Sequence, residues 1–421
     1  MSDFPERSII EYYQSIKRAI QGENSAELSR LLSIDLAHRP SFIRIIHQHD
    51  SNKDLFVDQN WTKIVDSHIK SVRSIHESNL QGAFNEKANA SNEFSKILQA
   101  QRESNWCIGF MHKHSVDLRR LAINADADAD IKRSAELARA KGGDNIPRST
   151  VRLIKKDENM ERACECLMQL FRVCATDTRS NNSKRIGMIY IINQLFKAYF
   201  RINKLHLCKP LIRALDNANI FDQCPLSQRV TYNYYLGVKT LFDLRISEAE
   251  KLLDFVFNNC HPGSRKNIRL TLIFLIPIKM LLGRMPSRKL LVKYDLCQFD
   301  DIKRAVVSGR VGDLDKAIAT HSNFLWRYGI YLIIERLRPI TLRNLIKKVA
   351  KLAESHLVDI QTVLSAVRMV QPDEDVALEE VHCILSNLIY EGKIKGYLSI
   401  AHQKLVLSKT NPFPPIAELV K

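Results

Sequence analysis

The chain has 421 residues, 45% hydrophobic and 26% charged, with only 14 glycines and 13 prolines. These proportions suit a soluble globular protein of two or three domains, and the scarcity of turn residues argues against an all-β fold. Lys and Arg outnumber Asp and Glu 63 to 46, a net charge of +17, which points to a polyanionic partner, either nucleic acid or a very acidic protein.

The excess charge is concentrated. Residues 184–213 carry seven basic side chains and no acid, and residues 264–310 carry eleven against three acids. A solvated basic helix face with no partner is the alternative reading of such stretches. The nine cysteines form no CxxC pair and no secretory leader is expected ahead of them, so they are expected to be reduced and mostly buried, in cytosol or nucleus. The most apolar run, residues 270–283, includes Pro277 and Lys279 and is shorter than the about 20 residues a spanning helix needs. It reads as a kinked core helix.

In chain order, residues 1–124 alternate amphipathic helical segments with polar breaks such as 47–54, and one helix is expected from about Phe84 to Ala122. Residues 125–158, with ADADAD and KGGDNIPRST, read as a surface insertion or loop. From 159 to 336 helices are expected near 160–175, 184–202, 205–218, 226–243, 246–260, 265–283, 298–308 and 313–336. They recur as pairs of tetratricopeptide-like length, each pair stacking on the next to form a solenoid. Residues 337–410 close the fold. Leu342, Leu345, Ile346, Val349 and Leu352 make one helical stripe, and Val381, Ile384, Leu385, Leu388 and Ile389 make another, ended by Gly392. Two short apolar runs, around 394–400 and 405–407, flank the AHQ loop as a hairpin. The expected fold is therefore all-α, a helical-repeat solenoid capped by a C-terminal winged helix with a small β-hairpin. A tail, 411–421, begins with NPFPP, which either serves as a docking peptide or packs back on its own domain.

Helical repeats feeding a winged helix make the PCI architecture, here spanning about 225–410. Specific strings carry a closer likeness: FRVCATDTR (171–179), NQLFKAYFRINKLHLCKPLIRALD (193–216), QRVTYNYYLG (228–237), MLLGRMP (280–286), ILSNLIYEGKIKGYLS (384–399) and HQKLVLSKTNPFPP (402–415). They resemble the family of PCI domain-containing protein 2, a PCI subunit of the transcription-and-export complex 2. The resemblance implies a non-enzymatic scaffold subunit that couples transcription to mRNA export. It implies location in the nucleus, including the nuclear pore, with the cytoplasm also open. The implied partners are an export-complex scaffold protein with its own PCI domain and a small acidic disordered subunit. A structural subunit of a proteasome-lid- or signalosome-like assembly is the alternative.

Candidate nucleic-acid contacts are cationic. Arg343, Lys347 and Lys351 recur at four-residue spacing on the first winged-helix helix, with Lys348 beside them, and the hairpin region adds Lys393, Lys395, Lys404 and Lys409. Such side chains grip phosphates and carry little sequence information, which suits non-specific RNA or DNA binding. The helix that would enter a major groove instead shows Glu379, Glu380 and Glu391, which offer no cation to guanine. A second candidate group is Arg265, Lys266 and Arg269, and the aromatics Tyr190, Phe196, Tyr199 and Phe200 are either base-stacking platforms or core. No cofactor, metal or catalytic residue is expected. ADADAD lacks the sixth-position Gly and twelfth-position Glu of a calcium loop, and His112 and His114 lack the downstream Ser and Asp of a zinc deubiquitinase. Neither a phosphate loop nor a nucleophile elbow is present.

Overall fold

The computed structural model describes residues 8–47, 58–101, 104–140, 157–179, 182–371 and 375–418. The chain divides into two compact units, Met1–Tyr232 and Asn233–Lys421. No helix among the described residues is long and apolar enough to cross a membrane.

The first unit is built from α1 (Ile9–Gln21), α2 (Ser25–Leu31), α3 (Pro40–His47), α4 (Gln59–His76), α5 (Leu80–Ala100), α6 (Ile108–Ala140), α7 (Glu158–Ala175), α8 (Met188–Arg201) and α9 (Cys208–Ala218). From α4 onward each helix packs on the one before it. Polar N-caps start several of them: the Ser8, Asp58 and Asn79 side chains accept backbone N–H bonds at the heads of α1, α4 and α5. The single helix expected over 84–122 is two helices. The end of α5 is stabilised from outside, because the buried Lys184 ammonium donates to the Leu98 and Gln101 carbonyls there. One of the basic residues of 184–213 therefore serves packing, through a contact that local sequence does not show.

The expected loop at 125–158 also differs. Helix α6 runs through ADADAD to Ala140, and residues 141–156 lie outside the described residues. Alanine favours helix, and Lys132–Asp128 and Arg133–Asp130 pair along it. Asp126 is buried, and its carboxylate accepts the Asn159 and Met160 N–H groups, each at 3.0 Å, at the head of α7.

The second unit holds α11 (Ile246–Asn259), α12 (Arg265–Leu281, with Pro277 inside it), α13 (Arg288–Lys293), α14 (Gln298–Ser308), α15 (Val311–Thr320), α16 (Ser322–Tyr328) and α17 (Tyr331–Glu335). Helix α10 (Leu226–Phe242) carries the division between the units. The helix expected over 313–336 is thus three short ones, and α13 is additional to the expected set.

The winged helix comprises α18 (Arg338–Leu352), β1 (Leu357–Asp359), α19 (Ile360–Val370), α20 (Leu378–Tyr390), β2 (Gly396–Ser399) and β3 (Lys404–Leu407). The expected hairpin is there as β2 and β3, and β1 joins it to give an antiparallel sheet in the order β1-β3-β2. Alternation along β3 turns Leu405 and Leu407 into the core beside Val358, while Lys404 points out. Both expected apolar stripes line that core through Leu345, Ile346, Leu385 and Leu388; Leu352 is left exposed.

Helices α14 and α18 approach closely because α14 ends in Gly309 with φ +74, where a Cβ would lie 2.7 Å from the Leu345 nitrogen. That approach lets two side chains of α18 reach the orphan carbonyls of α14: Asn344 Nδ2 donates to Val306 O at 2.9 Å, and Lys348 Nζ to Ser308 O at 2.8 Å.

Candidate nucleic-acid interface

In the second unit the turn after α12, the end of α14, one face of α18 and the chain after β3 enclose a groove of 680 Å³. Its polar side is cationic, with Lys347, Lys348, Lys351, Arg284 and Arg343, and no carboxylate lines it among the described residues. The apolar side presents Val307, Ile340, Phe413, Pro415 and Ile416. Val307 is 51% exposed, an unusual position for a large aliphatic side chain unless something covers it.

The tail makes one wall. Residues 411–418 pack back on their own domain: Phe413 lies against the winged-helix core, and the Lys395 N–H donates to Pro412 O at 2.9 Å. Arg343 locks this arrangement. Its Nε donates to Lys393 O at 3.0 Å, its Nη2 to Pro414 O at 2.7 Å, and its guanidinium lies 5.7 Å from the centre of the Phe413 ring. Burial pushes its pKa below the usual arginine value. Opposite, Gly283 takes φ +79 at the turn after α12, and a Cβ there would meet Ile416 at 3.3 Å.

The candidate residues separate into groups. Lys347 and Lys351 are exposed on the groove, and Lys348 joins them while capping α14. Arg343 shares their helical stripe but is 5% exposed, so its expected phosphate contact is replaced by a structural one. Lys395, Lys404 and Lys409 are exposed on the wing side and do not line the groove, and Lys393 pairs with Glu391. Arg265, Lys266 and Arg269 begin α12. Arg265 Nη2 donates to Lys293 O at 2.5 Å, and Arg269 donates to Tyr294 O and Asp295 O, each at 3.1 Å. Those two arginines cap the C-terminus of α13, which leaves Lys266 as the exposed cation with least structural duty.

The aromatics of α8 divide similarly. Phe196 and Tyr199 are buried, Phe196 stacks on Tyr232 at 5.5 Å, and Tyr190 packs against His112 at 4.8 Å. The core alternative holds for Phe196 and Tyr199, while Tyr190 is half-buried. Arg284 is the cation absent from the sequence-level candidates. It pairs with Glu250 at 2.5 Å, where burial raises the Glu250 pKa but the bonds from Lys279 and Arg284 outweigh it and hold the carboxyl low. The signal for Arg284 lies in the MLLGRMP string, whose turn was legible although its side chain's destination was not.

A helical chain ending in a three-stranded winged helix defines a PCI-type protein, and a family profile for the PCI domain matches residues 318–409. Among relatives, "PCI domain-containing protein 2" of Danio rerio is 40% identical over 411 residues, covering 97% of this chain and 98% of the relative. The Drosophila melanogaster homolog is 38% identical over 410 residues, covering 96% and 98%. More distantly, "Protein CSN12 homolog" of Schizosaccharomyces pombe is 27% identical over 425 residues, covering 96% of each chain. The chain belongs to the PCI domain-containing protein 2 family.

Proposed function

We propose that the protein is a non-enzymatic scaffold subunit of a nuclear mRNA-export complex. It joins partner subunits through its helical repeats and winged helix and holds RNA non-specifically on a basic surface. Family membership supports the scaffold role. The observation that carries the RNA half is the groove's row of Lys347, Lys348 and Lys351, with Arg284 beside them and no carboxylate among the described residues that line it. Point charges on lysine attract phosphate without reading bases, and the glutamates on α20 disfavour docking of that helix in a duplex groove. The partners proposed are an export scaffold with its own PCI domain and a small acidic disordered subunit, which suits a +17 chain.

The name of the fission-yeast relative favours a second reading, a structural subunit of a signalosome-like assembly without direct RNA contact. Affinity purification of the tagged protein from nuclear extract, with and without RNase, separates the two. Export-scaffold and small acidic subunits recovered in both samples are expected. Recovery of lid or signalosome subunits in their place would transfer the assignment to the second reading.

A further inference from the structure

We infer that the groove between α18 and the C-terminal tail is a subsite for single-stranded nucleic acid, and that the tail supplies the surface on which an unstacked base lies. The inference rests on the RNA-binding half of the proposed function and narrows it to one place and one ligand class.

Two sets of lining groups carry the argument. Lys347, Lys348 and Lys351 project from consecutive turns of one helix, and Arg284 adds a fourth cation whose charge is shared with Glu250. That row matches successive phosphates of a strand. The same groove is lined by Val307, Phe413 and Pro415, apolar groups left in contact with solvent. A duplex presents its phosphates outward and keeps its bases stacked inside, so it would satisfy the lysines and gain nothing from the apolar wall. A single strand satisfies both, with phosphate on the lysines and a base face on the apolar wall. An acidic peptide would also meet the lysines. It lacks the flat apolar face that the second wall favours unless it carries an aromatic residue at the matching spacing.

The volume of 680 Å³ lies within the range of about 300–1,000 Å³ typical of clefts that enclose small ligands. This fits a short piece of strand and not a helical stack. The tail is an essential wall because Phe413, Pro415 and Ile416 come from it. Arg343 acts as a positioning residue, since its guanidinium is committed to the Lys393 and Pro414 carbonyls and holds the tail in place. The wing lysines Lys395, Lys404 and Lys409 lie outside this enclosure and would add only general attraction to phosphate.

The test is fluorescence anisotropy on the full chain, with a labelled uridine-rich single strand of about a dozen nucleotides, the same length as a duplex, and an abasic sugar-phosphate strand. Single-stranded RNA is expected to bind tighter than the duplex, and the abasic strand about tenfold weaker than RNA, the size of one lost base stack. Val307→Glu and Pro415→Glu place a carboxylate at exposed apolar positions with little risk to folding, and each is expected to weaken single-strand binding at least about tenfold. Lys347→Ala with Lys351→Ala should lower the slope of log affinity against log salt by about 1.4, at about 0.7 per phosphate of a single strand. If the Lys395→Ala, Lys404→Ala, Lys409→Ala triple variant abolishes binding while Val307→Glu leaves it intact, the groove assignment falls and RNA binding by the protein stands. If a labelled polyglutamate peptide binds the groove more tightly than RNA, the site belongs to an acidic protein. If the wild-type chain binds no RNA, alone or in its complex, the underlying reading falls as well.

Discussion

Replacing Arg343 by methionine is expected to destabilise the second unit by about 2–4 kcal/mol and to release the tail. The substitution keeps an unbranched apolar stem but leaves the Lys393 and Pro414 carbonyls without their donors. One of these bonds is fully buried and the other partly. An unpaired buried carbonyl costs about 1–3 kcal/mol, and removing a buried cation returns part of that loss. Arg343→Lys should rescue little, because an ammonium cannot reproduce a planar fork that reaches two carbonyls at once. Hydrogen exchange read by mass spectrometry should show faster exchange across 392–418, including the Lys395 N–H that donates to Pro412 O. Unchanged exchange in that segment would show that the tail is held by its apolar contacts alone. RNA affinity should fall with the tail's release, although Arg343 touches no phosphate.

The second large effect is on the first unit and depends on pH. Where α4, α5 and α6 meet, the buried polar groups include His68 on α4, Lys87 and Ser91 on α5, and His114 and Asp117 on α6, with Lys113 at the margin. Neither ring nitrogen of His68 or His114 has a hydrogen-bond partner. Burial, and then the Lys87 charge, hold both histidines well below the usual imidazole range, so both are neutral when folded. In the unfolded chain they titrate near about 6.5. Their contribution is therefore fully present above that pH and is lost as pH falls below it, because the unfolded chain then takes up protons that the folded chain refuses. One pH unit below the unfolded value, each histidine contributes about 1.4 kcal/mol of loss, so stability should fall by about 3 kcal/mol between pH 7.5 and 5.5.

Lys87 acts in the same direction, at higher pH. Burial lowers it to about 8, so it still carries a proton at neutral pH and stability should rise as pH climbs from there toward the ordinary lysine range. Trp61 and Trp106 report on the first unit, and a Trp326→Phe background removes the only other tryptophan. A urea midpoint that stays flat from pH 7.5 to 5.5 would contradict the account. His68→Leu with His114→Leu should remove the slope.

The winged helix was legible because its helices owe their burial to an apolar stripe of helical period and its two hairpin strands to short apolar runs. Strand β1 was not, since three residues hold no period and exist as a strand only by pairing with β3. Helix α6 was obscured by ADADAD, whose aspartates read as loop formers until one of them is seen capping α7. The basic face of α18 was visible as spacing, and Lys347 and Lys351 fulfil that expectation of exposure. Arg343 has the same spacing and the opposite fate, decided by Pro414, 71 residues downstream. The lining of the groove escaped for the same reason: Arg284, Val307 and Phe413 share no local pattern and meet only through the fold.

The most direct measurement is photocrosslinking of RNA containing 4-thiouridine to the full-length protein in its purified complex, with the attached peptides identified by mass spectrometry. The account predicts adducts on peptides containing Val307, Lys347–Lys351 and Phe413–Pro415, lost in the Val307→Glu variant. Adducts confined to the wing peptides around Lys395–Lys409 or to Arg265–Arg269, with the groove peptides unmodified, would contradict it.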